Sequence, residues 1–267
     1  MELSQEKKKQ NKSVSRRLQK YTRWLVVLSI IIFLLAWHLL SSWRSYPAYL
    51  LPQPLLVADR FARALADGTL LRHTSVTLLE VLLGLLAGSF TASILGYLLA
   101  RFRTLENLLS PYLVASQAVP LVAIAPLLVI WFGPGIASKI LICSLIVFFP
   151  VLINTIVGLR AVPENLRDLM RSMHATPLQI LRYLEIPAAL PVLLGGLRIG
   201  ATLSVIGAVV GEFVGADRGL GFLINVGRGQ YDTALVFVAI FTLIGMALTL
   251  YGLVILIERK VLRWQRP

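Results

Sequence analysis

Six stretches of almost uninterrupted apolar residues divide the chain, at 24–43, 76–100, 108–132, 136–159, 188–214 and 234–257. At 1.5 Å per residue each is about long enough to cross ~30 Å of hydrocarbon. The pattern therefore predicts an all-α, polytopic membrane protein with six transmembrane helices. The first run is followed by Trp43-Arg44-Ser45-Tyr46-Pro47 and by no small-residue cleavage site, so it reads as a retained span with an interfacial anchor.

Two connections are long enough to carry structure of their own. In 47–74, Leu51-Pro52-Gln53-Pro54 precedes Val57, Phe61, Ala64 and Leu65 at helical spacing up to Gly68, which predicts a short surface helix on the membrane. In 160–187, Leu166, Leu169, Met170 and Met173 fall at i, i+3, i+4 and i+7, so a helix begun at Pro163 or Glu164 puts them on one face. Thr176-Pro177-Leu178-Gln179 supplies an N-cap, a proline at the first helical position and a capping box for a second short helix, which Pro187 is expected to end. Helices this short are unstable alone in water. They are either a loop resting on its own bundle or a rigid element presented to a partner, with the apolar strip toward the membrane domain and the polar face outward.

Composition agrees with the pattern: 57% hydrophobic residues, 15% charged and a mean hydropathy of +0.77 exclude a soluble globule. The 26 Lys and Arg against 13 Asp and Glu, net +13, would suggest nucleic acid in a soluble chain. Here topology accounts for them, and no nucleic-acid partner is expected. With six spans, eighteen of the 26 basic residues fall in the tail 1–23, the even-numbered connections and the C-terminus. That asymmetry places both termini in the cytoplasm. The layout is a basic cytoplasmic tail at 1–23, which also suits anionic membrane lipid, and one membrane domain at 24–267. The lone Cys143 and the dispersed His38, His73 and His174 offer no disulfide or metal site. Nor is there a phosphate loop or a catalytic constellation, so the chain is expected to be no enzyme and to bind no cofactor.

Polar groups inside the runs are the candidates for transport chemistry. Ser116 and Gln117 with Pro120, then Pro126 and Trp131, give the third run a polar, broken face. Asn154 and Thr155 in the fourth, and Thr202 and Ser204 in the fifth, are placed to line the same path or to pack between helices. Glu80 and Glu212 lie toward the outer ends of their spans. Glu212, between Gly211 and Gly215 and followed by the turn-rich 215–221, is the better candidate for a gate; a carboxylate there must be wet or paired with a donor. Arg198 suits an interhelical pair. Gly84, Gly88, Ser89, Ala92 and Gly96 form a close-packing strip on the second span, for a second copy or for packing within the chain.

The segment Asp168-Leu169-Met170-Arg171-Ser172-Met173-His174, followed after nine residues by Leu184-Glu185-Ile186-Pro187, resembles the coupling-loop signature of ABC importer permeases. Asp168 stands where that signature has Glu, Leu169 and Met170 where it has two small residues, and His174 where it has glycine. Ala125–Gly133, Phe148-Phe149-Pro150-Val151, Gly196-Leu197-Arg198 and Gly219-Leu220-Gly221 extend the likeness over about 47–260 to the binding-protein-dependent permeases of the nitrate, sulfonate and taurine group. Residues 205–221 are similar to members serving thiamine-precursor pyrimidines or riboflavin.

The resemblance implies a type I importer fold in the inner membrane of a prokaryotic cell, with two permease copies forming the path. Separate cytosolic ATPase subunits would carry ATP and Mg, and an external substrate-binding protein would deliver a small solute. It assigns Arg167, Asp168, Arg171, His174, Ala175 and Thr176, within a coupling loop at 160–187, to the ATPase contact. Gln117, Trp131, Asn154, Ser204 and Glu212 are assigned to the path or gate. Nitrate, sulfonate, pyrimidine precursor and flavin all stay open as cargo. A self-sufficient secondary transporter or channel is the rival reading, disfavoured because it has no need of paired, capped helices in the cytosol.

Overall fold

The computed structural model describes residues 24, 25, 27–43 and 47–263, which form a helical bundle without strands among them. The basic tail 1–23, Arg44-Ser45-Tyr46 and the last four residues lie outside the described residues. α1 (Val27–Trp43) leans on the bundle through Trp37, which stacks on Phe237 at 5.2 Å and also meets Phe241. α2 (Pro54–Ala66) starts on a proline that needs no N–H partner in the first turn, and it buries Val57 and Ala64. The chain then turns at Gly68, whose φ of 76° is left-handed. Asp67 accepts the Thr69 amide at 2.8 Å, and that hydrogen bond holds its carboxyl below the ordinary carboxylate range.

The centre of the bundle is formed by α3 (Thr69–Arg101), α6 (Ile136–Arg160) and α9 (Ile186–Gly215), packed on one another along their lengths. Small residues set the spacing. Gly84, Gly88 and Gly96 of α3 lie directly on Cys143, Ser144 and Thr155 of α6. A methyl on Gly207 of α9 would sit 2.8 Å from the Cys143 Cα on the other side. The strip on the second span is therefore spent on packing within the chain. α11 (Thr233–Val261) closes the bundle against α9, where Arg198 pairs with Glu258 and lies over the Tyr251 ring.

Among the described residues four helices are long and apolar enough to span a membrane: α3, α6, α11 and the continuous 39-residue helix Pro177–Gly215 that ends in α9. The third predicted span departs from expectation. It is two helices, α4 (Arg103–Ala118) and α5 (Leu121–Phe132), bent by 96° at the break. Pro120 has no N–H to continue the helix, and its ring forces Val119 into extended backbone at φ −81°, ψ 121°.

Pro187 gives a second correction. It lies within the first turn of α9 and ends nothing. α8 (Pro177–Ile180) passes into one π-helical turn, Leu181–Glu185, in which the Ile186 amide reaches back five residues to the Leu181 carbonyl, and that turn runs directly into α9. A wide turn is a common way to carry a helix past a proline that cannot donate. α7 (Glu164–Ser172) forms as the 3.6-residue spacing predicts. α10 (Leu220–Gly229), between α9 and α11, was not apparent from the pattern.

Candidate functional site

The coupling-loop candidates and Glu212 fall at the two ends of α9, about 45 Å apart for a helix of 30 residues. At the first end, α7 closes with His174 at φ 58°. The His174 amide donates to the Arg171 carbonyl at 2.9 Å, and the Ala175 amide to Met170 at 3.0 Å, the Schellman arrangement that usually carries glycine. The next residue begins a reciprocal cap: Thr176 N–H donates to Gln179 Oε1 at 2.7 Å, and Gln179 N–H to Thr176 Oγ1 at 3.4 Å. The α7–α8 corner is thus fixed on one side by main-chain hydrogen bonds and on the other by side chains that accept main-chain amides.

α7 departs from the sequence expectation in two respects: its apolar strip does not turn to the bundle, and Arg167, expected at the ATPase contact, does, while Asp168, Arg171 and His174 are exposed as expected. Leu169 is 58% exposed, Met173 and Leu178 71%, and Leu166 and Tyr183 are exposed beside them, while Met170 is half-buried. The inward side chain is a charged one. Arg167 donates to Glu185 Oε1 at 3.0 Å, to the Leu159 carbonyl at 2.7 Å and to the Val162 carbonyl at 3.2 Å. Asp168 and Arg171 pair with each other at 2.9 Å on the exposed side, and Arg171 also reaches Glu164 at 3.3 Å. An open cleft of about 440 Å³ lies behind α7, lined by Tyr97, Arg101, Arg160, Glu164 and Glu185 among others.

At the other end Glu212 is fully buried. Its carboxylate accepts the Thr77 hydroxyl at 2.6 Å and the Gly221 amide. The Leu220 amide donates to Thr77 Oγ1 at 2.8 Å and the Gly219 amide to His73 Nδ1 at 2.9 Å. The first amides of α10 are therefore held by side chains of α3 and α9, with a carboxylate where a helix N-terminus favours one. Glycine is required at 219 and 221: φ is 115° at Gly219, where a Cβ would strike the Glu212 carboxyl, and at Gly221 it would lie 2.8 Å from Glu212 Oε2. Beside this latch Glu80 of α3 is equally buried, with Lys139 Nζ of α6 3.6 Å from its Oε1. Among the described residues neither Glu80 oxygen has a hydrogen-bond partner within 3.5 Å.

The other path candidates are scattered. Gln117, exposed on α4, turns its amide toward the Leu113 carbonyl at 3.4 Å, and Trp131 on α5 is 68% exposed. Asn154 is half-buried and bonds the Pro150 carbonyl at 2.8 Å. Ser204 is buried, bonded to the Ala201 carbonyl at 2.9 Å. The sequence-based reading did not assign roles to Thr77, His73, Lys139 or Glu185. Their partners sit 18 to 146 residues away, and only Lys139, a charge in an apolar run, was signalled by hydropathy.

A bundle of long apolar helices with a capped two-helix element at one end has the build of a membrane transport permease. The chain belongs to the family of binding-protein-dependent transport system inner membrane components, whose pattern matches residues 82–263, and is thus an ABC importer permease. It is 47% identical over 253 residues to the riboflavin transport system permease protein RibX of Chloroflexus aurantiacus, covering 94% of each chain. To the formylaminopyrimidine transport permease protein ThiX of Halalkalibacterium halodurans it is 34% identical, over 90% of this chain and 95% of that one. The fold matches the inward-facing MetNI methionine ABC transporter at a TM-score of 0.61, with 21% identity over 71% of this chain and 94% of that one.

Proposed function

We propose that this chain is the membrane half of an ATP-driven importer in the prokaryotic inner membrane, crossing it six times with both termini in the cytoplasm. Two copies enclose the path, and separate ATPase subunits that hold ATP and Mg dock at α7 and α8. A substrate-binding protein delivers cargo at the α10 end, and Glu212 acts in the gate there. The observation that carries the reading is the exposed apolar edge of α7–α8, set on a corner locked by the Schellman turn and the capping box. An apolar edge held rigid at a bundle's end fits a protein partner better than water. The rival, a secondary transporter acting alone, gives that edge nothing to do.

Leu169→Glu or Met173→Glu places a charge on this edge without touching the Arg167 anchor. Each is expected to abolish co-purification of the ATPase subunit while the permease still inserts. Unchanged co-purification would remove α7–α8 from the ATPase contact.

For cargo, the 47% identity to a riboflavin permease outweighs the more distant pyrimidine and sulfonate relatives, and we favour a small heteroaromatic compound such as a flavin. Proteoliposomes carrying the complete transporter should take up riboflavin in preference to formylaminopyrimidine or taurine. Uptake of taurine alone would overturn that preference.

A further inference from the structure

α7 is nine residues long, too short to keep its shape unaided, and its apolar edge faces away from the bundle. What ties it to the membrane helices is concentrated in one guanidinium. The Leu159 carbonyl, in the last turn of α6, would ordinarily receive the amide four residues on, but that residue is Pro163. Arg167 supplies the missing donor at 2.7 Å and brings its charge to the negative end of the α6 dipole. Its Nε holds Glu185 at 3.0 Å, and Glu185, 4% exposed, also lies 3.9 Å from the Arg101 guanidinium at the last residue of α3. Two side chains thus join α7 to α3, α6 and α9, the three helices that make up the centre of the bundle.

We propose that Arg167 and Glu185 are the joint through which displacement of α7 reaches the membrane helices, a pair of positioning residues for coupled transport. The inference rests on the proposed docking of an ATPase at α7. A push on the exposed edge of α7 cannot be dissipated by a loose tether, because the guanidinium is bonded to the ends of two helices at once. On the α9 side the load enters at Glu185, the last residue of the π-helical turn. From there one continuous helix, Pro177–Gly215, leads to Glu212 and the α10 latch at the other end. The side chains are 16% and 6% exposed, so removing either partner leaves the other, poorly solvated, to a lesser one: Arg101 at 3.9 Å for Glu185, and the exposed Glu164 at 3.0 Å for Arg167.

The test uses the complete transporter, with ATPase and binding protein, in proteoliposomes, and reads cargo moved per ATP hydrolysed. Glu185→Gln, which lies away from the exposed edge, is expected to retain the ATPase and to lower this ratio at least tenfold. Arg167→Gln should lower it by a similar factor, and the double variant should be no worse than either single one, because both break one joint. Arg167→Lys, which keeps the charge but not the fork of donors, should fall between. Wild-type ratios in both Gln variants would overturn the proposal. So would loss of ATPase binding in every variant including Arg167→Lys, since the pair would then serve assembly alone. If the unaltered chain fails to bind an ATPase, it is the docking reading that falls.

Discussion

His174 keeps the left-handed backbone that glycine adopts most readily while standing where the coupling-loop signature has glycine. The backbone at 174 is left-handed, with φ 58°, because the Schellman turn closing α7 requires it there. Outside glycine that conformation costs roughly 1–2 kcal/mol. His174→Gly is therefore expected to stabilise the α7–α8 corner by about 1 kcal/mol, less a small entropic loss in the unfolded chain. Hydrogen exchange of the Ala175 amide checks it: exchange should slow severalfold, and faster exchange would mean that the His side chain holds the turn by a contact of its own. The position was recognisable from the sequence by its place in the motif. The reason for it was not, because φ is a property of the folded turn.

At the scale of elements, what could be read in the sequence was what is locally encoded. Thr176-Pro177-Leu178-Gln179 announced a capped helix start and the structure has it, since every atom of that cap lies within four residues. Orientation was not local. The apolar spacing of α7 told which residues share a face, but not whether that face meets the bundle or a partner, and the inward anchor is Arg167. Hydropathy likewise ran straight through Pro120, since a sum of transfer energies carries no information on backbone direction: the proline marked a break in the third run, but not that it is a 96° bend between two helices. α10 was missed because its hold is tertiary. Thr77, His73 and Glu212 come from two other helices to catch its first amides.

That hold is open to a direct measurement. Hydrogen bonds to a charged group contribute about 1.5–3 kcal/mol. Glu212→Gln keeps the shape, removes the charge and turns a donor toward groups that are themselves donors. Amide exchange at Leu220 and Gly221 should accelerate about tenfold or more, while the amides at the α7 end are unchanged. Under the proposed function the same variant impairs uptake and leaves ATPase assembly intact. If exchange at α10 does not change, Glu212 is not what holds that helix.

For the whole molecule, Gly84, Gly88 and Gly96 of α3 and Gly196, Gly207 and Gly211 of α9 are used in packing on α6, so a second copy does not meet this chain along those strips. Of the flanks left over, α4 has no buried residue and exposes the polar Ser116 and Gln117 next to Tyr112 and Val114. Polar groups facing lipid are costly, whereas facing a wet path shared with another copy they are satisfied. The proposed dimer should therefore place α4 of one copy opposite α4 or α5 of the other. Cys143 is buried and is the only cysteine of the chain, so single cysteines introduced at Tyr112, Ser116 or Gln117 report without interference. In native membranes at least one of the three should form a disulfide-linked pair of permease chains under mild oxidation. A control cysteine at Leu256, exposed on α11, should not. If no α4 position cross-links, or if Leu256→Cys does so equally well, the two copies do not meet along this flank.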